Sequence, residues 1–319
     1  MSASLRSKFL RQGPTIFTLT IPYFFNLFLM HMHNPVHEKK HIIATNYVGL
    51  ASYTFLVYDH LLTFSDEVEY VWFRRKGPVV YLFFINRYIF PLAFIVNLYA
   101  YISPKYSPSN CAGLVIYEGS LSILAVANAG LVMIFRVNAL YGGDNQPALA
   151  TLGFLWLAQV GVSSFLVSSG MPVPHTPGIH SCTLIFNPER RKLSPLFSIL
   201  PLVFDTTVLI LTLHKTKAVL RTCKTSNAIV QTLQNDGILY YSILFAANFT
   251  LTFMLIFAPP GLKNILQQFV QLATTTIISR ITLHLKKQGR SLYVNAEQIT
   301  PPATVTNETS TSASSGSNI

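Results

Sequence analysis

Two stretches of this chain, 148–168 and 237–258, each run for more than twenty residues without one charged side chain. A helix in water needs a polar face, and these have none. About 20 apolar residues at 1.5 Å per residue span the ~30 Å hydrocarbon layer of a bilayer. Five further stretches approach the same pattern, at 43–64, 79–102, 112–138, 195–214 and 263–283. Their apolar residues run continuously and do not alternate, so strands are not expected. The sequence therefore predicts an all-α membrane protein: a bundle of seven transmembrane helices, receptor-like in plan.

Composition agrees. Charged residues make up 11% of the 319, against roughly 25% in soluble domains. That leaves too few to coat a soluble surface. The formal net charge is +11. On so apolar a chain the excess fits basic loops facing an anionic leaflet better than it fits nucleic acid.

The expected domain organisation has three parts: an N-terminal segment at 1–42, the transmembrane domain at 43–286, and a disordered cytosolic tail at 287–319. Within the first part, 15–30 is apolar and follows Arg6, Lys8 and Arg11. A signal anchor, a cleaved signal and a surface-lying helix all fit; the length of the run and the lack of a small-residue cleavage site favour an anchor, an extra hydrophobic helix before the seven. DEVEYVWFRRKGP, SPKYSPSN, GGDNQP, the stretch around SGMPVPHTPGIHSC and APPG read as connections.

Loop charge sets the orientation. With the C-terminus inside, Arg74, Arg75, Lys76, Arg136, Lys215, Lys217, Arg221, Lys224, Arg280, Lys286, Lys287 and Arg290 lie at the inner side. Lys39, Lys40, Lys105, Arg190, Arg191, Lys192 and Lys263 lie outside. The bias favours a cytosolic C-terminus in a plasma or other secretory-pathway membrane. Cys111 and Cys182 then both face an oxidising compartment, where a bridge between them persists and ties the loop before span five over the bundle mouth. Cys223 falls on the inner side as a free thiol. The glycosylation motifs at Asn248 and Asn307 fall in a span and in the tail, so neither is expected to be used.

The run YVGLASYTFLVYDHLLTFSDEVEYVW, followed by LFFINRY, resembles the opening of a large set of fungal integral-membrane proteins, abundant in basidiomycetes, that carry a domain of unknown function. The matching positions are Tyr58-Asp59, Thr63, Glu67, Glu69, Trp72 and Asn86-Arg87-Tyr88. Others are Cys111, Arg136 with Ala139-Leu140-Tyr141, Cys182, Asp236-Gly237 with Tyr240, and Ser279-Arg280-Ile281 with Leu283-His284-Leu285. The resemblance covers about 44–286 and implies the seven-span fold. It implies no substrate or activity. Asp205 and Val137 depart from it, where the family usually has Glu and Thr.

Charges within a bilayer cost about 2.5–3.5 kcal/mol each by insertion scales, so each needs a partner or a purpose. Asp59 and Arg87 fall at similar depth on adjacent spans and are expected to pair. Arg136, Asp236 and Arg280 form an inner rim. There Asp236 either caps its helix or latches to one of the arginines. Glu118, Asn128, Asp205, Asn97 and Asn248 are the candidates to line a ligand cavity; the alternative is simple interhelical hydrogen bonding. His33, His37 and His41 share a four-residue spacing, but Pro35 interrupts it. His60, His214 and His284 lack the paired spacing of zinc-dependent seven-span hydrolases. No cofactor or metal is therefore expected. The span-seven lysine of a retinal protein, a phosphate-binding loop, an HExxH motif and a nucleophile elbow are all missing from the sequence, which argues against an enzyme. The function expected is a receptor-like sensor of a small external ligand with a cytosolic protein partner. A small-solute transporter or channel is the alternative, with Pro91 and Pro201 as kink points.

Overall fold

The computed structural model describes residues 38–73, 76–102, 108–143, 145–172, 182, 184–186, 193–222, 228–257 and 265–299. Segment 15–30, His33, His37, Cys223 and Asn307 lie outside them, as do the side chains of His41 and Asp236. Seven continuous helices make up most of the described residues. Helix α1 spans Glu38–Glu67 and continues through a π-helical turn, Val68–Trp72. Helix α2 comprises Pro78–Phe84, a second π-helical segment Ile85–Ile89, and Phe90–Ile102. The others are α3 (Pro108–Tyr141), α4 (Gln146–Val167), α5 (Leu196–Thr222), α6 (Ala228–Phe257) and α7 (Ile265–Ile299). Sequence neighbours α3 to α7 pack pairwise, and α7 packs against α1 as well as α6, closing the bundle.

Three expectations need correction. The stretch DEVEYVW is helix, not loop, because it carries Glu67 and Trp72 into a buried polar cluster described below. The tail expected to be disordered from 287 is helical as far as Ile299. Lys287 lies 3.7 Å from Asp66 and Arg290 lies 3.2 Å from Glu69, so α7 is stitched along the extension of α1. Strands do occur: β1 (Gly170–Pro172) and β2 (Leu184–Phe186) pair antiparallel before α5, with Met171 opposite Ile185.

Local chemistry explains the ends. Pro78 and Pro147 sit in the first turns of α2 and α4, where a missing N–H costs nothing. Gly142 and Gly143, at φ 70° and 86°, end α3 in the left-handed region that glycine enters freely. The turn hands over to Asn145, whose side chain caps α4.

The surface is apolar and part of the interior is polar. Leu61 is 72% exposed, Phe154 71% and Leu92 64%, whereas Asp59 and Glu67 are 0% and Arg87 is 1% exposed. That inversion suits a lipid solvent. Pro78–Ala100, Cys111–Tyr141, Gln146–Val167 and Leu196–Thr216 are each long and apolar enough to cross a membrane, and Tyr241–Phe257 is apolar over a shorter length. The protein is thus a multi-pass membrane protein in a lipid bilayer. Average hydropathy ranks α1 and α7 lower for a physical reason. α1 buries Asp59, Thr63 and Glu67, while α7 buries Gln268, Thr275, Thr276, Ser279 and Thr282. Averaging over the whole helix counts a polar face that protein, not lipid, covers. Buried apolar clusters join the elements. Val132, Leu152, Phe204, Leu244 and Ile278 join α3 to α7. Leu56, Phe94 and Leu272 join α1, α2 and α7.

Candidate functional site

Asp59, Thr63 and Glu67 are four residues apart and share one face of α1. All three are buried. Arg87 comes from the π-helical segment of α2, and its Nε lies 2.7 Å from Glu67 Oε2. It also donates from one Nη to Thr63 Oγ1 (2.8 Å) and to the His60 carbonyl (3.0 Å). Glu67 Oε1 accepts from Tyr88 Oη at 2.7 Å and from Trp72 Nε1 at 3.0 Å. Arg280 of α7 donates from Nε to Asp59 Oδ1. Asn86 donates to the Thr275 carbonyl (2.8 Å) and to Ser279 Oγ (3.1 Å). The His60 ring faces two carbonyls, of Leu56 at 2.8 Å and Arg87 at 2.6 Å.

The expected Asp59–Arg87 pair is therefore replaced by two others, Glu67–Arg87 and Asp59–Arg280. Arg87 reaches along α1 to the acid two turns beyond Asp59, and a third helix supplies the cation for Asp59. Both π-helical segments adjoin the Glu67–Arg87 pair. Each inserts an extra residue per turn and re-aims the side chains, a feature frequent at functional sites. The inner-rim group is rearranged in the same way. Arg280 is engaged with Asp59, and Arg136 meets α6 through Tyr241, with Nη1 3.4 Å from the hydroxyl and the guanidinium 5.7 Å from the ring centre.

A cavity of about 70 Å³ lies among α3 to α7, toward the end of the bundle that carries the disulfide. Of the five residues expected to line a cavity, Asp205 and Asn248 do so. Asn248 Nδ2 donates to Asp205 Oδ2 at 2.6 Å. The other three are placed elsewhere. Glu118 accepts from Gln268 Nε2 at 3.2 Å, Asn128 donates to the Leu82 carbonyl at 3.3 Å, and Asn97 is buried in α2. Ser122, Gln159, Gln271 and Thr275 are among the other polar residues of the lining. Ser122 donates to Gln271 Oε1 at 2.9 Å, whereas Gln159 Oε1 is buried without a hydrogen-bond partner. Gln159 is not singled out from sequence, and Glu67 only as a position of the resemblance, with no partner expected for it. Gln159 had a signal, as the only amide in an uncharged span; Glu67 was hidden in what read as a loop.

Cys111, at the start of α3, is bonded to Cys182, with Cα atoms 5.4 Å apart. Since Cys182 is two residues from β2, the bridge fastens the hairpin to α3, which it also packs against. The expected Cys111–Cys182 bond is thus present. α3 and α4 approach closely: a Cβ on Gly130 would lie 2.6 Å from the Trp156 ring.

No curated protein matches the chain. Residues 47–92 match a family of unknown function, DUF6533, so the chain carries that domain across α1 and most of α2, including Asp59, His60, Thr63, Glu67, Trp72, Asn86, Arg87 and Tyr88.

Proposed function

We propose that this chain is a seven-span membrane protein of the fungal kind that its first two helices resemble, and that it works as a sensor of a small ligand. In this reading the disulfide-bearing end faces outside and the C-terminus is cytosolic. The ligand occupies the cavity holding Asp205, and the α1–α7 extension meets a cytosolic protein. The observation that carries the reading is that α7 belongs to both sites. Its Gln271 and Thr275 line the cavity. One turn on, its Ser279 and Arg280 hold Asn86 and Asp59 in the charged cluster. A ligand that binds one arrangement of α7 better than another shifts the balance between them, and the ion pairs at the other end sense the shift.

A seven-span count is supported by the closed bundle and by the exposed apolar faces of α1, where Tyr47, Leu50, Leu61 and Phe64 point outward. The test uses protein in lipid nanodiscs and a panel of small polar compounds, with amide hydrogen exchange as the readout. The expected result is a compound that alters exchange at both the cavity and residues 280–290. A compound that accumulates in reconstituted vesicles without changing exchange at 280–290 would instead favour a transporter.

A further inference from the structure

We propose that the cavity between α3 and α7 binds a small organic ammonium ion, with Asp205 as its charge partner and Gln159 Oε1 as a second acceptor. The proposal rests on the sensor reading only for its consequence, not for the site itself. Within the described residues, Asp205 has no cationic partner; its one bond is from Asn248, to Oδ2. Asp205 is half-buried on the cavity wall, and a partly desolvated carboxylate gains more from a cation brought by a ligand than one in water does. Gln159 is 1% exposed, and its Oε1, on the same cavity, accepts from no donor. A buried acceptor without a donor costs free energy unless a ligand supplies one. Gln159 Oε1 thus wants a donor, and Asp205 wants positive charge.

The remaining wall decides between an inorganic and an organic cation. Val126, Met133, Phe197, Phe204, Leu244 and Leu251 are apolar. The hydroxyls of Ser122 and Ser198 are already donating, to Gln271 and to the Pro195 carbonyl. A hard metal ion draws on several carboxylate oxygens, and Asp205 is the one acid in this wall. An alkylammonium needs two or three acceptors at one end and apolar contact at the other. At about 70 Å³ the cavity accommodates roughly five waters, enough for an amine of a few carbons.

The chain has two tryptophans, at 72 and 156. Trp156 adjoins Gly130 of the cavity wall and Trp72 bonds Glu67, so each reports one end of the bundle. The test titrates the W72F protein in nanodiscs with n-butylammonium chloride, reading Trp156 emission with calorimetry alongside. Controls are 1-butanol, of the same shape without the charge, and sodium chloride. Saturable binding of butylammonium is expected, with 1-butanol at least about tenfold weaker. Asp205→Asn keeps an acceptor for Asn248 and removes the charge; it lowers affinity by about 10- to 100-fold, the range for a charge-assisted hydrogen bond. Asp205→Glu retains binding and Gln159→Leu weakens it several-fold, which carries the test if Asp205→Asn fails to fold. Equal binding of 1-butanol, undiminished binding by a folded Asp205→Asn protein, or the same saturable signal from sodium alone overturns the proposal. Binding seen at Trp156 with no change at Trp72 in W156F protein supports the ammonium site and refutes the coupling to the charged cluster. A Trp72 response to other compounds without butylammonium binding does the reverse.

Discussion

Replacing Arg87 by leucine removes a cation from a site where the opposing carboxylate is fully buried. Glu67 would keep two neutral donors, Tyr88 and Trp72, and lose its only charge partner within 4 Å among the described residues. Thr63 Oγ1 and the His60 carbonyl would each lose a donor. Breaking a buried pair by removing one partner costs about 3–5 kcal/mol, because the remaining charge is left uncompensated. An exposed pair is worth about 0–1 kcal/mol. This protein offers that internal control: Lys287 is 45% exposed and lies 3.7 Å from a partly exposed Asp66. Arg87→Leu is therefore expected to cost at least about 3 kcal/mol and Lys287→Ala under about 1, measured by reversible denaturation in detergent or bicelles. Adding Glu67→Leu to Arg87→Leu should recover a large part of the loss, since no charge then remains buried unpaired. A cost for Arg87→Leu no larger than for Lys287→Ala would refute the reasoning. So would a double variant whose loss equals the sum of the single ones, for then the two side chains do not interact.

Other outcomes follow from single contacts. Tyr88→Phe removes one of the two neutral donors to Glu67 and should cost about 1–3 kcal/mol in the same unfolding assay. Gly130→Val pushes a side chain into Trp156 and should destabilise by about 1–3 kcal/mol, with a shift in Trp156 emission, because α3 and α4 cannot both keep their positions. Cys111→Ser opens a bridge that closes a segment of 71 residues and should lower stability by about 2–4 kcal/mol, with Cys182 becoming reactive to maleimide. Arg290→Ala, at a pair with both partners over 40% exposed, should change stability by less than about 1 kcal/mol.

The helices were legible where lipid demanded apolar residues on every side. α4 is uncharged and needs no tertiary information to be recognised. The ends of α1 and α7 were not legible for the opposite reason. DEVEYVW and LKKQGR look like soluble loop, yet Glu69 faces Arg290 and Asp66 faces Lys287, so the two polar segments lie along each other. That information is split across 221 residues of chain between Glu69 and Arg290. The charged cluster was half legible. Sequence marked Asp59 and Arg87 as charges needing partners, and both have them, but partner choice depends on register. The π-helical segments shift that register, and nothing in a 3.6-residue pattern announces them. The cavity was legible as Asp205 and Asn248. Glu118, Asn97 and Asn128 share their chemistry and differ only in which way the helix turns them.

Register is also what the charged cluster adds to the bundle. Between lipid-facing helices apolar contact does not drive association, since lipid tails are as apolar as leucine. Leu56, Phe94 and Leu272 pack by dispersion, which has little directionality and distinguishes registers less sharply than an ion pair does. The ion pairs are stricter: Arg87 must meet Glu67, Thr63 and the His60 carbonyl together, while Arg280 meets Asp59. α1 is thereby fixed against two helices at once, at points two turns apart. Removing both members of the Glu67–Arg87 pair should then restore stability without restoring a single arrangement. Spin labels at Ser65 and Gln288 read the difference: one narrow distance distribution in the native protein and a broadened one in the Glu67→Leu/Arg87→Leu protein. An equally narrow distribution in both would mean that apolar packing alone sets the register, and that the charges serve only each other.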